Sequence, residues 1–264
     1  MLFTKMHGLG NDYLYVYGCV PENIKDICIK LSDRHFGAGS DGMIYISPSE
    51  NADFRMRIFN ADGSEAKMCG NGIRCVGKYV FDKGYTDKTQ ITVETLSGIK
   101  TLDLAVKDGK VKSVSVDMGK AVVSDDLSVS VNGEKLLCVP VSVGNPHAVF
   151  FTDSIENIEL EKIGPLIEKN SLFPDGVNAE FVQVISSEII RMRVWERGSG
   201  ITMACGTGSC ASVAACVKKG LFKANEPVTV VLDGGELKIT VSDDGFVTMT
   251  GPAETVFEGE CDLW

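Results

Sequence analysis

Apolar positions along the 264-residue chain follow two periods. Short runs alternate every second residue, longer ones recur at helical spacing, and the same succession of runs occurs twice. Strand-like runs cover 13–17, 43–46, 91–94, 100–106 and 111–118, with Asp108-Gly109 and Asn132-Gly133 as hairpin turns. A helix is expected over 21–32, where Ile24, Ile27, Cys28 and Leu31 share a face, and another over 155–170. Two more follow cysteines. Ile73, Val76, Val80 and Phe81 come after Cys69, and Ala211, Ala214, Ala215 and Val217 after Cys205; each pattern stops at a Lys-Gly pair. The run 135–151 reads as strand interrupted by Gly144-Asn145-Pro146-His147, and from Pro227 onward the chain alternates as strands around Asp233-Gly and Asp244-Gly turns.

The two cysteine-bearing stretches are copies of one unit. RMRIFNADGSEAKMCGNGIRCVGKYVFDKG begins at Arg55 and RMRVWERGSGITMACGTGSCASVAACVKKG at Arg191; Arg191, Cys205 and Gly220 follow Arg55, Cys69 and Gly84 by the same 136 positions. The echo extends to Gly10-Asn11 against Gly144-Asn145 and to Phe36 against Phe173. The expected architecture is therefore α/β, in two pseudo-symmetric domains related by internal duplication. Each is a curved, mostly antiparallel sheet wrapped around a central helix. Residues 1–113 carry Cys69 and are completed by the C-terminal strand 252–264, and residues 114–251 carry Cys205. A cleft between such halves is a favoured place for a ligand.

Both cysteines are placed at helix N-termini, where unpaired N–H groups and the helix dipole favour thiolate. The dipole contributes about 0.3–2 kcal/mol, so moderate activation is expected and the substrate must be polarised as well. Gly70, Gly72, Gly206 and Gly208 let a carboxylate or phosphate approach the backbone N–H groups. Two acid/base groups meeting one carbon from opposite faces invert its configuration, one removing a proton while the other returns one. Asn60 and Glu196 hold equivalent positions ahead of the two cysteines, and Arg197 follows Glu196. That asymmetry suits a substrate with a carboxylate for Arg197 and an ammonium for Glu196; an internal Glu-Arg pair is the plain alternative.

Composition narrows the classes. A formal charge of −10 and a pI near 4.9 speak against nucleic acid as partner. No apolar run reaches the roughly 18 residues of a membrane span, and the N-terminus lacks a signal-peptide core, so a cytoplasmic location is expected. Nine cysteines without CxxC spacing read as free thiols, and neither a metal site nor a cofactor is expected.

The blocks HGLGNDY (7–13), FGAGSDG (36–42), FNADGSEAKMCGNGIRC (59–75), GNPHAV (144–149), GVNAEFV (176–182) and ERGSGITMACGTGSCA (196–211) resemble, in content and order, the motifs of the diaminopimelate epimerase family. The resemblance implies a cofactor-independent isomerase that interconverts LL- and meso-2,6-diaminopimelate in lysine and peptidoglycan precursor biosynthesis. Another racemase or isomerase of the same fold is the alternative. It implies Cys69 and Cys205 as the catalytic pair, Cys205 taking the proton in the LL-to-meso direction. Gly70, Asn71, Gly206 and Thr207 would hold the reacting carboxylate. Asn11, Asn60, Asn145, Asn178, Glu196 and Arg197 would hold the remaining polar ends, with His147 and Glu196 assisting catalysis. A homodimer is implied by resemblance alone. The chain departs from some members at Gly42 and Phe257, where they carry Gln and an interfacial Tyr, and from many at Ile201, where they carry Glu.

Overall fold

The structure of the chain, a computed structural model, describes residues 1–262 and consists of two compact units. One comprises Met1–Val116 together with the chain from Gly251 on; the other is Asp117–Thr250. Of the expected segment 252–264, positions 263 and 264 lie outside the described residues.

The first unit contains β1 (Leu2–Gly8), β2 (Asn11–Tyr17), α1 (Ile24–Ser32), β3 (Gly42–Ser47), β4 (Phe54–Asn60), the short β5 (Glu65–Ala66), α2 (Gly70–Asp82), β6 (Gln90–Thr95), β7 (Gly98–Lys107) and β8 (Lys110–Lys120), which runs on across the boundary. Pairing is antiparallel for β1–β2, β3–β4, β6–β7 and β7–β8, and parallel for β2–β3 and β4–β6. Sequences such as NDYLYVY and GMIYIS are apolar almost throughout because both faces of the sheet are covered. Leu14, Val16, Met43 and Tyr45 pack with Ile27, Cys28 and Leu31 of α1. On the opposite face, Tyr15 donates its hydroxyl to the Gly72 carbonyl of α2 at 3.2 Å.

The second unit repeats this order: β9 (Val122–Val123), β10 (Leu127–Val131), β11 (Glu134–Ser142), β12 (Pro146–Phe151), α3 (Leu160–Glu168), β13 (Asn178–Val184), β14 (Ile189–Glu196), β15 (Gly200–Ile201), α4 (Gly206–Lys218), β16 (Val228–Leu232), β17 (Gly235–Val241) and β18 (Phe246–Gly251). Here β12–β13 and β14–β16 are the parallel pairs, in the slots of β2–β3 and β4–β6. The duplication thus extends to strand direction. The last strand, β19 (Glu254–Glu260), pairs antiparallel with β1 of its own unit.

One helix departs from expectation. The segment 155–170 is not continuous: a 3-10 turn, Ile155–Asn157, precedes α3, and Ile158 between them is extended (ψ 115°). The Ile158 carbonyl accepts from the Arg193 guanidinium at 3.2 Å, a bond outside any helix. Ile155, Leu160 and Ile167 still reach one core with Val129, Phe150, Ala179 and Phe181, so two short pieces satisfy the apolar spacing.

The helices α2 and α4 are buried almost along their whole length, from Gly70 to Val80 and from Gly206 to Cys216 save Thr207. Full burial of Ile73, Val76 and Val80 contributes roughly 1.5–3 kcal/mol each. Both helices end alike. Gly84 (φ 78°) donates to the Phe81 carbonyl and Tyr85 to Val80, while Gly220 (φ 72°) donates to Val217 and Leu221 to Cys216. These paired bonds close the last turn around a left-handed residue, which explains the Lys-Gly stop in each copy.

Candidate functional site: two cysteine-capped helices

Cys69 and Cys205 are the N-caps of α2 and α4. Both backbones are extended (φ −138°, ψ 113° and φ −116°, ψ 111°), and each sulfur accepts the N–H three residues on, Gly72 and Gly208 respectively, at 3.3 Å. A thiol thereby takes the place of the hydroxyl or carboxylate that usually caps a helix. At both glycines a side chain would crowd a neighbour. A methyl at Gly72 would lie 2.7 Å from Ile44 Cδ1, and one at Gly208 would lie 2.7 Å from Glu180 Oε1 and 3.2 Å from Cys205 Sγ.

Around Cys69 the polar groups come from β2, from Asp41 just ahead of β3 and from the end of β4. The thiol donates to Asn11 Oδ1 at 3.2 Å, and Asn11 Nδ2 donates to Asp41 Oδ2 at 2.7 Å, so Asn11 orients the sulfur. The buried Tyr13 hydroxyl interacts with the same thiol and with Asn11; burial first, then the neighbouring sulfur, pushes the phenol well above its usual range. Asn60, half-buried at the end of β4, donates to Ser64 Oγ at 3.1 Å. Gly70 and Asn71 form the first turn of α2 and are buried.

Around Cys205 the surroundings are ionisable. The sulfur is 3.6 Å from Thr207 Oγ1, which accepts from Asn145 Nδ2 at 3.3 Å. Asn145 Oδ1 is 3.0 Å from His147 Nε2, and His147 Nδ1 is 2.7 Å from Glu180 Oε1, with both of those last side chains fully buried. Asn178 accepts the Arg197 N–H at 2.8 Å, and its amide nitrogen lies 3.4 Å from His147 Nδ1. Glu196 accepts a hydrogen bond from the Thr202 hydroxyl and interacts with the Cys205 thiol, yet burial pushes its carboxyl above the usual range.

The activating effect of the helix N-terminus on Cys205 is outweighed. Burial, and then the carboxylates of Glu196 and Glu180, push this thiol well above the ordinary range, against the hydrogen bonds from Thr207 and Gly208. Desolvation and two nearby negative charges outweigh a dipole worth at most about 2 kcal/mol. Nor does Glu196 form an internal pair with Arg197: the exposed guanidinium of Arg197 instead donates to the Asp175 carbonyl at 2.7 Å, beside a depression of about 550 Å³ lined also by Phe173, Gly176 and Glu168.

Sequence reasoning passes over Glu180. The signal is available: Glu180 follows Ile44 by the repeat distance of 136, so a carboxylate occupies a slot that is apolar in the first copy. Tyr13, likewise unassigned, holds on β2 the place of His147 on β12, since the neighbouring pairs Leu14–Met43 and Ala148–Ala179 are in equivalent register.

The sequence profile of the family described as diaminopimelate epimerase matches residues 3–124 and 139–256. A relative named diaminopimelate epimerase from Acetivibrio thermocellus is 53% identical, covering 100% of this chain and 99% of its own. One of the same name from Methanococcus maripaludis is 50% identical, with 100% of each chain covered. Among solved structures, a phenazine biosynthesis protein of the PhzF family from Bacillus anthracis (TM-score 0.77, 18% identity, 100% and 99% coverage) is similar in fold. So is a hydroxyproline epimerase from Agrobacterium vitis (TM-score 0.73, 17% identity, 98% and 91% coverage). With the profile matching most of the sequence and half of all residues shared with relatives along the full length, the chain belongs to the diaminopimelate epimerase family.

Proposed function

We propose that the chain is an isomerase that inverts one α-carbon of 2,6-diaminopimelate, interconverting the LL and meso forms for lysine and peptidoglycan precursor synthesis. The observation that carries the reading is identity of 50–53% over the whole length to relatives bearing that name, in a chain whose two repeat cysteines both cap buried helices. Removal of an α-proton leaves negative charge that spreads onto the carboxylate. N–H groups at a helix N-terminus stabilise that charge, which gives Gly70, Asn71, Gly206 and Thr207 their role.

In this account Cys205 acts as base on the LL substrate and Cys69 as acid, the roles reversing for the meso form. A thiol held neutral by burial needs a partner to take its proton, and Glu196, which interacts with the Cys205 thiol, is the candidate for that. On the other side, Asn11 and Asn60 hold polar substrate atoms beside Cys69. Asn145, Asn178 and Arg197 do so beside Cys205, with Arg197 engaging the distal carboxylate and His147 assisting. No metal or cofactor enters this scheme. The two repeat halves, 1–113 with 252–264 and 114–251, each contribute one acid/base group.

The chain is further read as a cytoplasmic homodimer. Exposed Leu2, Val256 and Phe257 on the paired β1 and β19 supply an apolar strip for self-association; sedimentation of a dimer supports this, and a monomer at micromolar concentration removes it. Activity is tested by incubating the reduced protein with LL-diaminopimelate in heavy water. Formation of meso product carrying α-deuterium is expected; folded protein giving neither product nor exchange would defeat the proposal.

A further inference from the structure

The second repeat has replaced an apolar residue under its cysteine-capped helix with a buried acid. Ile44 lies opposite Ile58 on β4, and Glu180 lies opposite Val194 on β14, in the same register. Each reaches the first turn of its helix, where the glycine three residues after the cysteine leaves room for it. Burying a carboxylate in an apolar slot is costly unless it is bonded. Glu180 is bonded on one oxygen only: Oε1 meets His147 Nδ1 at 2.7 Å, while buried Oε2 has no hydrogen-bond partner among the described residues. Such a cost is retained where the group serves the site.

The bonds beyond His147 lead to the sulfur. With Asn145 Oδ1 at 3.0 Å from Nε2, the contact is a hydrogen bond when that nitrogen carries the proton. This fixes the Asn145 amide with Nδ2 toward Thr207 Oγ1. A hydroxyl that accepts from Asn145 keeps its own hydrogen for the Cys205 sulfur, 3.6 Å away. We propose that Glu180 is a positioning residue for Cys205: by holding the Nδ1 side of His147 it fixes Nε2 as donor, and through Asn145 turns the Thr207 hydroxyl onto the thiolate as it forms.

The inference rests on the reading of Cys205 as the base, but its test does not require diaminopimelate. Titratable groups facing Cys205 are Glu196 from β14 and Glu180 from β13, with His147 of β12 bonded to the latter. The Glu180 carboxylate also pushes the Cys205 thiol up by its charge, so loss of that charge alone would favour the thiolate. Glu180→Gln removes both that charge and the constraint on His147, and the two act on the thiol in opposite directions, so slower labelling reports the constraint.

Losing one hydrogen bond to a thiolate raises its pKa by about one unit. The thiolate fraction at pH 8 then falls about tenfold, offset about threefold by the greater nucleophilicity of the more basic sulfur. Iodoacetamide labelling followed by peptide mass spectrometry should show Cys205 alkylated more slowly, by up to about threefold, in Glu180→Gln, with Cys69 unchanged as internal control. Equal Cys205 rates would overturn the proposal, and faster labelling would overturn it too, by showing Glu180 acting as a bare negative charge. Should the variant misfold, the wild-type protein decides: nitrogen-15 spectra of labelled histidine must show His147 protonated on Nε2. A bare Nε2 would also overturn the proposal. Loss of epimerisation with the expected labelling difference would reject the substrate assignment and leave this inference intact.

Discussion

Replacing Gly208 by alanine should harm the protein far more than replacing Gly72, although the two glycines are equivalent in the repeat. Alanine in a helix gains up to about 1 kcal/mol over glycine. At Gly72 the new methyl meets Ile44 Cδ1 at 2.7 Å, the free end of a side chain that can rotate away, with Met56 Cε next at 3.3 Å. Overpacking of that kind costs about 1–3 kcal/mol, so Gly72→Ala should lie within about 1–2 kcal/mol of wild type. At Gly208 the methyl meets Glu180 Oε1 at 2.7 Å and Cys205 Sγ at 3.2 Å. Glu180 is held at 2.7 Å by buried His147 and cannot swing out without breaking a bond whose full loss costs about 3–5 kcal/mol. A net loss of about 2–4 kcal/mol follows. Urea unfolding followed by circular dichroism under reducing conditions measures both variants. Combining Gly208→Ala with Glu180→Ala should recover at least about 1 kcal/mol of coupling. Equal midpoints for the two single variants, or no recovery in the double, would refute the argument.

Other perturbations follow from single contacts. Arg74, fully buried in α2, donates to the carbonyls of Pro252 and Gly70 at 3.1 Å; Arg74→Leu should cost about 2–4 kcal/mol in urea unfolding, and a neutral effect would mean those carbonyls find other donors. For Asp12, burial raises the carboxyl, but hydrogen bonds and charge from Arg34 and Lys5 outweigh it and hold the group below its usual range. A depressed folded pKa gives stability that is present above the unfolded value near 3.9 and is lost as pH falls through the folded one. The stability gap between wild type and Asp12→Asn, up to about 1 kcal/mol near pH 7, should therefore narrow below about pH 4, and a gap that widens there would contradict the assignment. Arg197→Ala should raise the KM for diaminopimelate at least about tenfold with a smaller change in kcat; unchanged kinetics would place the distal clamp elsewhere.

The repeat makes the fold legible because strand direction, helix position and the Lys-Gly stops all recur at one spacing. Periodicity alone makes helix α3 too long, because it records which residues face the core, not whether the backbone between them is continuous. At the site, the capping positions of Cys69 and Cys205 follow from local sequence alone. The state of the Cys205 thiol does not, since it depends on Glu180 and Glu196 arriving from separate strands. Glu180 itself looks like one polar residue in an alternating strand; only alignment with Ile44 marks it as a carboxylate in an apolar slot. Tyr13 beside Cys69 is hidden in the same way, within an aromatic run whose burial already accounts for it.

Inversion at one carbon by two acid/base groups requires both thiols. Cys69→Ala and Cys205→Ala, each assayed with LL- and with meso-diaminopimelate, test this most directly. Each substitution should lower kcat/KM for inversion by a factor on the order of 10²–10⁴ in both directions, with folding intact by circular dichroism. Either variant turning over at a rate near wild type would show that its sulfur is not one of the two acid/base groups.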